Sequence, residues 1–176
     1  IGVRLVGSEM CIRDRRHMEL TIIGKRRPDS HASQTMTALG LDDCVNFVSG
    51  VPDERIVELY SEAELACVPS LYEGFSLPAI EAMSCGVPLV CTTGGALPEV
   101  TGTHGETCFQ TEPGNSDALA ATIREALDNP ELRDKVGAAG RERVKSQWSW
   151  RHTAIKTVDQ YRAVLDEHAA RVNRAG

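Results

Sequence analysis

The sequence lacks the features that mark nucleic-acid-binding and membrane-spanning proteins. Its 25 aspartate and glutamate residues outnumber the 19 lysine and arginine residues, which gives a formal net charge of −6. Aromatic residues make up only 5% of the chain, and no basic stripe with interleaved aromatics occurs, so a nucleic-acid partner is not expected. The apolar runs are strand-sized, well short of the ~20 residues that cross a bilayer, and no secretory h-region is found.

Cysteine occurs six times, but without the spacing of a metal site or a redox motif. No CxxC pair is present, and several cysteines lie within apolar runs, where a thiol behaves as a small hydrophobic side chain. This usage predicts reduced, buried thiols and a cytoplasmic location. The six residues are Cys11, Cys44, Cys67, Cys85, Cys91 and Cys108.

The first 16 residues do not share the pattern of the rest. They show neither strand alternation nor a helical face, and residues 13–16 are unusually basic for this acidic chain. The portion VGSEMCIRDR is similar to a read-through translation of sequencing-adapter DNA. We therefore expect residues 1–16 to be a leader that is not native or not structured, and they carry no weight in the fold prediction. A basic interaction arm is the functional alternative.

From residue 17 onward, short apolar segments alternate with amphipathic ones over a length that suits one domain. Five segments have the β-branched, apolar composition of strands, at residues 19–24, 44–50, 64–69, 87–92 and 107–110. Helical patterns separate them at residues 30–39, 54–61 and 77–85, and three further helices follow residue 113. Strands that are apolar on both faces and alternate with helices predict an α/β fold, a doubly wound parallel sheet with extra C-terminal helices. Residues 171–176 are predicted to be a frayed tail.

Residues 69–99, PSLYEGFSLPAIEAMSCGVPLVCTTGGALPE, hold the candidate site. Ser76 suits the N-cap of a helix, and Pro78 suits its first turn. Such a helix start presents free backbone N–H groups and a positive dipole end, which favour a bound phosphate. Glu73 and Glu81 flank this position, and carboxylates beside a phosphate are better suited to accept hydrogen bonds from sugar or ribose hydroxyls. The stretch therefore predicts a nucleotide-sugar ligand.

The predicted fold collects other loops near this stretch. In open α/β sheets, ligands bind outside the carboxyl ends of the strands. The loops predicted at that edge span residues 24–25, 50–52, 69–76 and 92–97, and all of them contain glycine, proline or polar residues. The candidate site therefore lies where the fold class predicts one.

The spacing of Glu73 and Glu81, E-x7-E, lies in PSLYEGFSLPAIEAMSCGVPLV and is followed by TTGGALPEV. This stretch closely resembles the C-terminal, nucleotide-sugar-binding domain of family 4 glycosyltransferases, which are retaining enzymes of the GT-B fold. The similarity covers about residues 19–161 and includes VNFVSGVP, DALAATIREALDNPELRDKVGAAGRERV and the FSW-like segment at residues 148–150. It implies a Rossmann-like donor-binding domain over residues 17–170, in an enzyme that transfers a hexose from a nucleoside diphosphate sugar to an unknown acceptor.

The resemblance implies a role for each matching residue. Glu81 would bind the ribose hydroxyls of the donor, and Glu73, as the catalytic residue, would hold hydroxyls of the transferred sugar. No metal or cofactor is expected, because protein groups offset the diphosphate charge in this family. The other donor-binding residues would be Gly74, Phe75, Ser76 and Leu77 beside the diphosphate, and Gly50, Val51 and Pro52 near the nucleobase.

The resemblance also implies parts that this sequence does not supply. The family usually has an Arg and a nearby Lys that grip the diphosphate, but Arg13, Arg15 and Arg16 lie too close to the strand at residues 19–24 to match them. Lys25, where the family often has G-x-G, could lend charge to the site. The N-terminal acceptor domain of a GT-B enzyme is missing, so the chain is expected to be a fragment that is inactive alone. Peripheral association of the whole enzyme with a membrane stays open.

Other interpretations remain alongside this one. A non-catalytic nucleotide-sugar-binding or interaction module of the same fold is the main alternative, and a sugar-nucleotide epimerase is a minor one. A dinucleotide-binding oxidoreductase is disfavoured because no G-x-G-x-x-G follows the first strand. For single residues, we expect Glu99 to brace a turn and His104 to be a solvated loop residue. Trp148 and Trp150 are expected to pack.

Overall fold

The computed structural model describes residues 18–175, with side chains as far as residue 171. The expected leader at residues 1–16 lies outside the described residues, as does Cys11. In chain order the elements are β1 (Leu20–Ile23), α1 (His31–Ala38), β2 (Val45–Val48), α2 (Asp53–Glu62), β3 (Ala66–Val68), α3 (Leu77–Ser84), β4 (Leu89–Thr92), α4 (Leu97–Thr101), β5 (Phe109–Thr111), α5 (Ser116–Asp128), α6 (Pro130–Gln147) and α7 (Trp150–Ala175).

The strands confirm the predicted parallel α/β fold. Strand β1 pairs with β2, and β3, β4 and β5 pair in that order, all in parallel. Within residues 18–175 these strands form two sheets of two and three strands, whereas the sequence predicted one. An apolar cavity of about 230 Å³ is lined from both sheets, by Leu20 and Val45 on one side and by Leu65 and Cys67 on the other.

The core lies on both faces of the three-stranded sheet. Alternate residues of β3 and β4 belong to two separate clusters, because successive side chains of a strand point to opposite faces. One cluster packs Ala66 and Leu89 with Met83 of α3, and the other packs Cys67 and Val90 with residues of α5 and α6. All four strand residues are at most 2% exposed. This double coverage explains why the strands read as continuous apolar runs.

Cys67, Cys85, Cys91 and Cys108 are free thiols, as predicted from the cysteine spacing. Cys67, Cys91 and Cys108 are buried, and Cys44 and Cys85 are half-buried. Burial raises the pKa of the Cys67 thiol to about 12, so this group stays protonated near neutral pH.

Two features differ from the sequence prediction. Helix α4 lies in a region that the sequence left as loop, and its first residue, Leu97, is fully buried. Helix α7 carries apolar residues at helical spacing, of which Ile155, Val158 and Tyr161 are 49%, 44% and 68% exposed. The same helix continues to Ala175, through most of the segment predicted as a frayed tail. No helix in the described part of the chain has the length and apolar character needed to cross a membrane.

Candidate functional site

The candidate site is built on two loops that pack against each other. The first, residues 69–76, connects β3 to α3, and the second, residues 93–96, connects β4 to α4. The amide of Ala96 donates to the carbonyl oxygen of Glu73 at 2.8 Å, and Glu73 and Gly95 form an isolated parallel bridge. A Cβ on Gly94 or Gly95 would collide with the backbone of the first loop. The two glycines are therefore required for this close approach.

The side chain of Glu73 is oriented by a residue that the sequence analysis did not single out. The hydroxyl of Ser70 donates to Oε1 of Glu73 at 2.7 Å. The carbonyl oxygen of Ser70 in turn accepts a short hydrogen bond from the hydroxyl of Thr92, at the end of β4. A serine three positions before a loop glutamate is a weak signal, since the bond depends on the loop conformation.

Helix α3 begins at a strained residue. Ser76 occupies the N-cap position as predicted, but its φ of 74° and ψ of 83° are left-handed, and its hydroxyl makes no capping bond. The prediction of a capping side chain is therefore wrong, because the Ser76 hydroxyl is buried and has no hydrogen-bond partner among the described residues. Ser76 is the one non-glycine residue with positive φ in the described chain. Such outliers persist where surrounding structure holds them, often at ligand sites.

The start of α3 leaves backbone donors available. Among the described residues, no hydrogen bond is formed by the amides of Phe75, Ser76 or Leu77. Phe75 and Leu77 are 41% and 62% exposed, and Gly74 has no atom within 4 Å of a Cβ position. The loop therefore has three consecutive N–H groups without a hydrogen bond at the positive end of a helix, and open space beside Gly74. This combination is suited to an anion.

Glu81 is the fifth residue of α3 and is exposed. Its charge acts on Tyr60 of α2, where burial first and Glu81 second raise the pKa of the phenol to about 12. No hydrogen bond or ion pair joins Glu73 to Glu81. The three cavities described in this part of the chain are lined by neither glutamate. A shared binding hollow for the two carboxylates therefore stays a prediction.

The other predicted loops occupy the carboxyl ends of β1 and β2. Gly50 has a φ of 68°, and Pro52 is the N-cap of α2, so Gly50, Val51 and Pro52 form the turn from β2 into that helix. Lys25 follows β1 and is exposed. The neighbouring Arg26 is already engaged, with Asp42 at 2.8 Å. No group of three or more His, Cys, Asp or Glu residues in the described chain could hold a metal ion.

Two aromatic residues link the site to the C-terminal helices. The ring of Phe75 meets the ring of Trp148 edge to face, with centroids 5.2 Å apart and planes at 78°. The indole Nε1 of Trp148 donates to the carbonyl oxygen of Val100 at 3.3 Å. Packing was predicted correctly for Trp148 but wrongly for Trp150, which is 90% exposed because it opens α7 on the outer surface.

His104 and Glu99 make specific contacts away from the loop. Nδ1 of His104 accepts from the amide of Gln110 at 2.9 Å, and its Nε2 lies 3.3 Å from Oε1 of Glu125. His104 is exposed in its loop, as expected, and its two contacts also fasten this loop to β5 and α5. Glu99 was expected to brace a turn but lies within α4, and its backbone carbonyl oxygen accepts from Nη2 of Arg143 at 2.6 Å.

Comparison with known proteins places these features in a family. The chain is 40% identical over 159 residues to the MMP alpha-(1->4)-mannosyltransferase of Mycolicibacterium hassiacum, in an alignment that covers 90% of this chain and 39% of that protein. The structure matches sucrose-phosphate synthase from Thermosynechococcus elongatus with a TM-score of 0.74 and 30% identity, over 84% of this chain and 38% of that one.

A further structural match contains a ligand. Anabaena Alr3699/HepE in complex with UDP-glucose superposes with a TM-score of 0.65 and 26% identity, over 77% of this chain and 36% of that one. The chain thus spans about two fifths or less of these relatives. The family model for glycosyl transferases group 1 matches residues 8–143, which is more than half of the chain. The chain therefore belongs to the group 1 glycosyl transferases.

Proposed function

We propose that the chain is the donor-binding half of a retaining, family 4 type glycosyltransferase, which transfers a hexose from a nucleoside diphosphate sugar to an acceptor. One observation carries this proposal: the consecutive free amides of Phe75, Ser76 and Leu77 at the start of α3, beside the oriented carboxylate of Glu73. The group 1 family membership and a relative solved with UDP-glucose support it.

The proposed chemistry divides the donor among these groups. The three amides and the positive end of α3 would stabilise the diphosphate, both when it is bound and as negative charge develops on it during departure. Glu73, held by Ser70, would accept hydrogen bonds from hydroxyls of the transferred hexose. Glu81 would accept from the ribose. We expect no metal ion at this site, because the backbone amides at the start of α3 would stabilise the negative charge of the phosphates.

The remaining parts of the proposal concern the rest of the donor and the acceptor. Gly50, Val51 and Pro52 would lie near the nucleobase, at the carboxyl end of β2. The acceptor would be positioned by an N-terminal domain outside this chain, since transfer requires both reactants held in one geometry. We therefore propose that this chain binds donor but does not turn it over alone. We also propose that the enzyme acts in the cytoplasm.

Ligand-observed NMR tests the donor site directly. UDP-glucose, GDP-mannose and ADP-glucose are titrated separately into the 176-residue chain. We expect one of them to bind with a dissociation constant on the order of 1 mM, because the proposed phosphate donors are neutral amides and form weaker hydrogen bonds than an Arg–Lys pair would. Failure of all three sugars to bind would refute the proposed function.

A matched pair of variants tests the role of Glu81. Glu81→Ala is expected to weaken the donor that binds by about tenfold, since a hydrogen bond to a charged group is worth roughly 1.5–3 kcal/mol. Glu106→Ala is the control, because Glu106 is an exposed glutamate in the loop between α4 and β5. Equal affinities of the two variants would show that Glu81 does not contact the donor, while the amide site at the start of α3 would still stand.

A further inference from the structure

We propose that Trp148 is a positioning residue for the donor loop, residues 73–76, and that it acts through the ring of Phe75. The inference rests on the proposed function, because it concerns how this loop is held ready for a nucleoside diphosphate. It brings the end of α6 into the site, although that helix contributes no predicted donor-binding residue.

The contact between the two rings restrains an otherwise open part of the loop. The Phe75 and Trp148 centroids are 5.2 Å apart at 78°, the edge-to-face geometry that aromatic pairs favour. Phe75 is still 41% exposed, so its ring is held from one side rather than enclosed in the core. The amide of Phe75 is one of the three proposed phosphate donors. Fixing the ring therefore limits the positions that this amide can take.

Helix α4 supports the donor loop at two of its residues, Glu73 and Phe75. At the start of α4, the amide of Ala96 donates to the carbonyl oxygen of Glu73 at 2.8 Å. At its end, the carbonyl oxygen of Val100, a residue 1% exposed, accepts from Nε1 of Trp148 at 3.3 Å. Glu73 is thus fastened to α4 directly, and Phe75 is fastened to it through Trp148.

The backbone next to Phe75 is strained and needs a constraint to keep its conformation. Ser76 is left-handed at a φ of 74°, and its hydroxyl makes no hydrogen bond that could hold it there. A strained conformation persists only where its surroundings impose it. The ring contact of Phe75 is such a constraint, one residue away. Holding the amides in place before the ligand arrives lowers the ordering cost of binding.

Three variants separate this role from general packing. Trp148→Leu removes the ring and keeps an apolar side chain, whereas Trp148→Phe keeps a ring against Phe75. Trp150→Leu is the matched control, because Trp150 lies two positions away and is 90% exposed. For each variant, NMR measures the affinity for whichever of UDP-glucose, GDP-mannose and ADP-glucose the wild type binds. Amide deuterium uptake is measured without ligand at residues 71–77 and at β4.

We expect Trp148→Leu to bind the sugar nucleotide that the wild type binds about fivefold more weakly, in line with the loss of one aromatic pair. Uptake should rise at residues 71–77 and stay unchanged in β4, which reports global opening. Trp148→Phe keeps a ring against Phe75 but loses the hydrogen bond to Val100, so both readouts should lie between those of Trp148→Leu and the wild type. Trp150→Leu should stay within about twofold of the wild type. Equal results for Trp148→Leu and Trp150→Leu, or a rise in uptake that includes β4, would overturn the inference.

A double variant tests whether Trp148 acts through Phe75. If it does, Phe75→Leu with Trp148→Leu should bind no more weakly than Phe75→Leu alone, since both changes remove the same contact. Multiplied losses would overturn the proposed route. If the wild type binds none of UDP-glucose, GDP-mannose and ADP-glucose, the proposed function fails, and uptake at residues 71–77 alone decides whether Trp148 holds the loop.

Discussion

Replacing Ser76 by glycine is expected to stabilise the protein, although glycine usually destabilises a folded chain. Ser76 has a φ of 74° and a ψ of 83° at the start of α3, and its buried hydroxyl has no hydrogen-bond partner in the described chain. Glycine has no Cβ and adopts a positive φ readily. The change therefore removes both a strained conformation and an unpaired polar group.

The magnitudes decide the sign of this change. The left-handed conformation costs a non-glycine residue roughly 1–2 kcal/mol, and an unpaired buried hydroxyl costs roughly 1–3 kcal/mol. Against this, glycine adds about 0.4–1 kcal/mol of conformational entropy to the unfolded chain, and the lost side-chain carbon removes about 0.8 kcal/mol of burial. The balance favours Ser76→Gly by about 2 kcal/mol, which raises the melting temperature by about 4–8 °C in a domain of this size.

Thermal unfolding followed by circular dichroism measures the effect across a small series. Ser76→Ala removes the hydroxyl but keeps the strain, so its melting temperature should lie between those of the wild type and Ser76→Gly. Ser76→Thr adds β-branching at a positive φ and should melt below the wild type. A melting temperature of Ser76→Gly at or below that of the wild type would refute the reasoning, since neither the strain nor the unpaired hydroxyl would then carry its expected cost.

Three further changes test other parts of the structure. Gly137→Ala should lower the free energy of unfolding by about 1–2 kcal/mol in urea titrations. A Cβ at this position would lie 2.5 Å from the carbonyl oxygen of Gly86. The resulting overpacking costs about 1–3 kcal/mol, which outweighs the gain of about 1 kcal/mol in helix propensity. Burial raises the pKa of Tyr60 from 10.0 to about 12. The stability that the neutral, buried phenol contributes to the folded state is therefore fully present below pH 10 and is lost as the pH rises toward 12. Tyr60→Phe should therefore lose less stability than the wild type between pH 10 and pH 12 in urea titrations, and an unchanged slope would contradict this assignment. Ser70→Ala should weaken donor binding by about threefold in NMR titrations while leaving the melting temperature near that of the wild type, because it frees the carboxylate of Glu73. Unaltered affinity would show that this hydrogen bond does not matter for binding.

The sequence by itself determined the layered architecture and the position of the candidate loop. Strands β3 and β4 read as apolar on both faces because both faces are covered, one by α3 and the other by α5 and α6. The limits of α3 were also readable, since Pro78 lies in its first turn and Gly86 takes the left-handed conformation, φ 79°, just beyond its end. These signals are local, so each one survives without knowledge of distant residues.

Only the tertiary structure decided how the loop is held. Helix α4 is five residues long, too short for a periodic apolar pattern, and it depends on contacts from Arg143 and Trp148 that lie far along the chain. The left-handed backbone angle of Ser76 likewise could not be predicted, because no rule of sequence assigns a positive φ to serine. Trp148 and Trp150 are the same residue type two positions apart, yet Trp148 packs against Phe75 and Trp150 faces outward. The Trp148 ring is directed by its contacts with Phe75 and with the carbonyl oxygen of Val100 in α4, and these contacts exist only once the chain has folded.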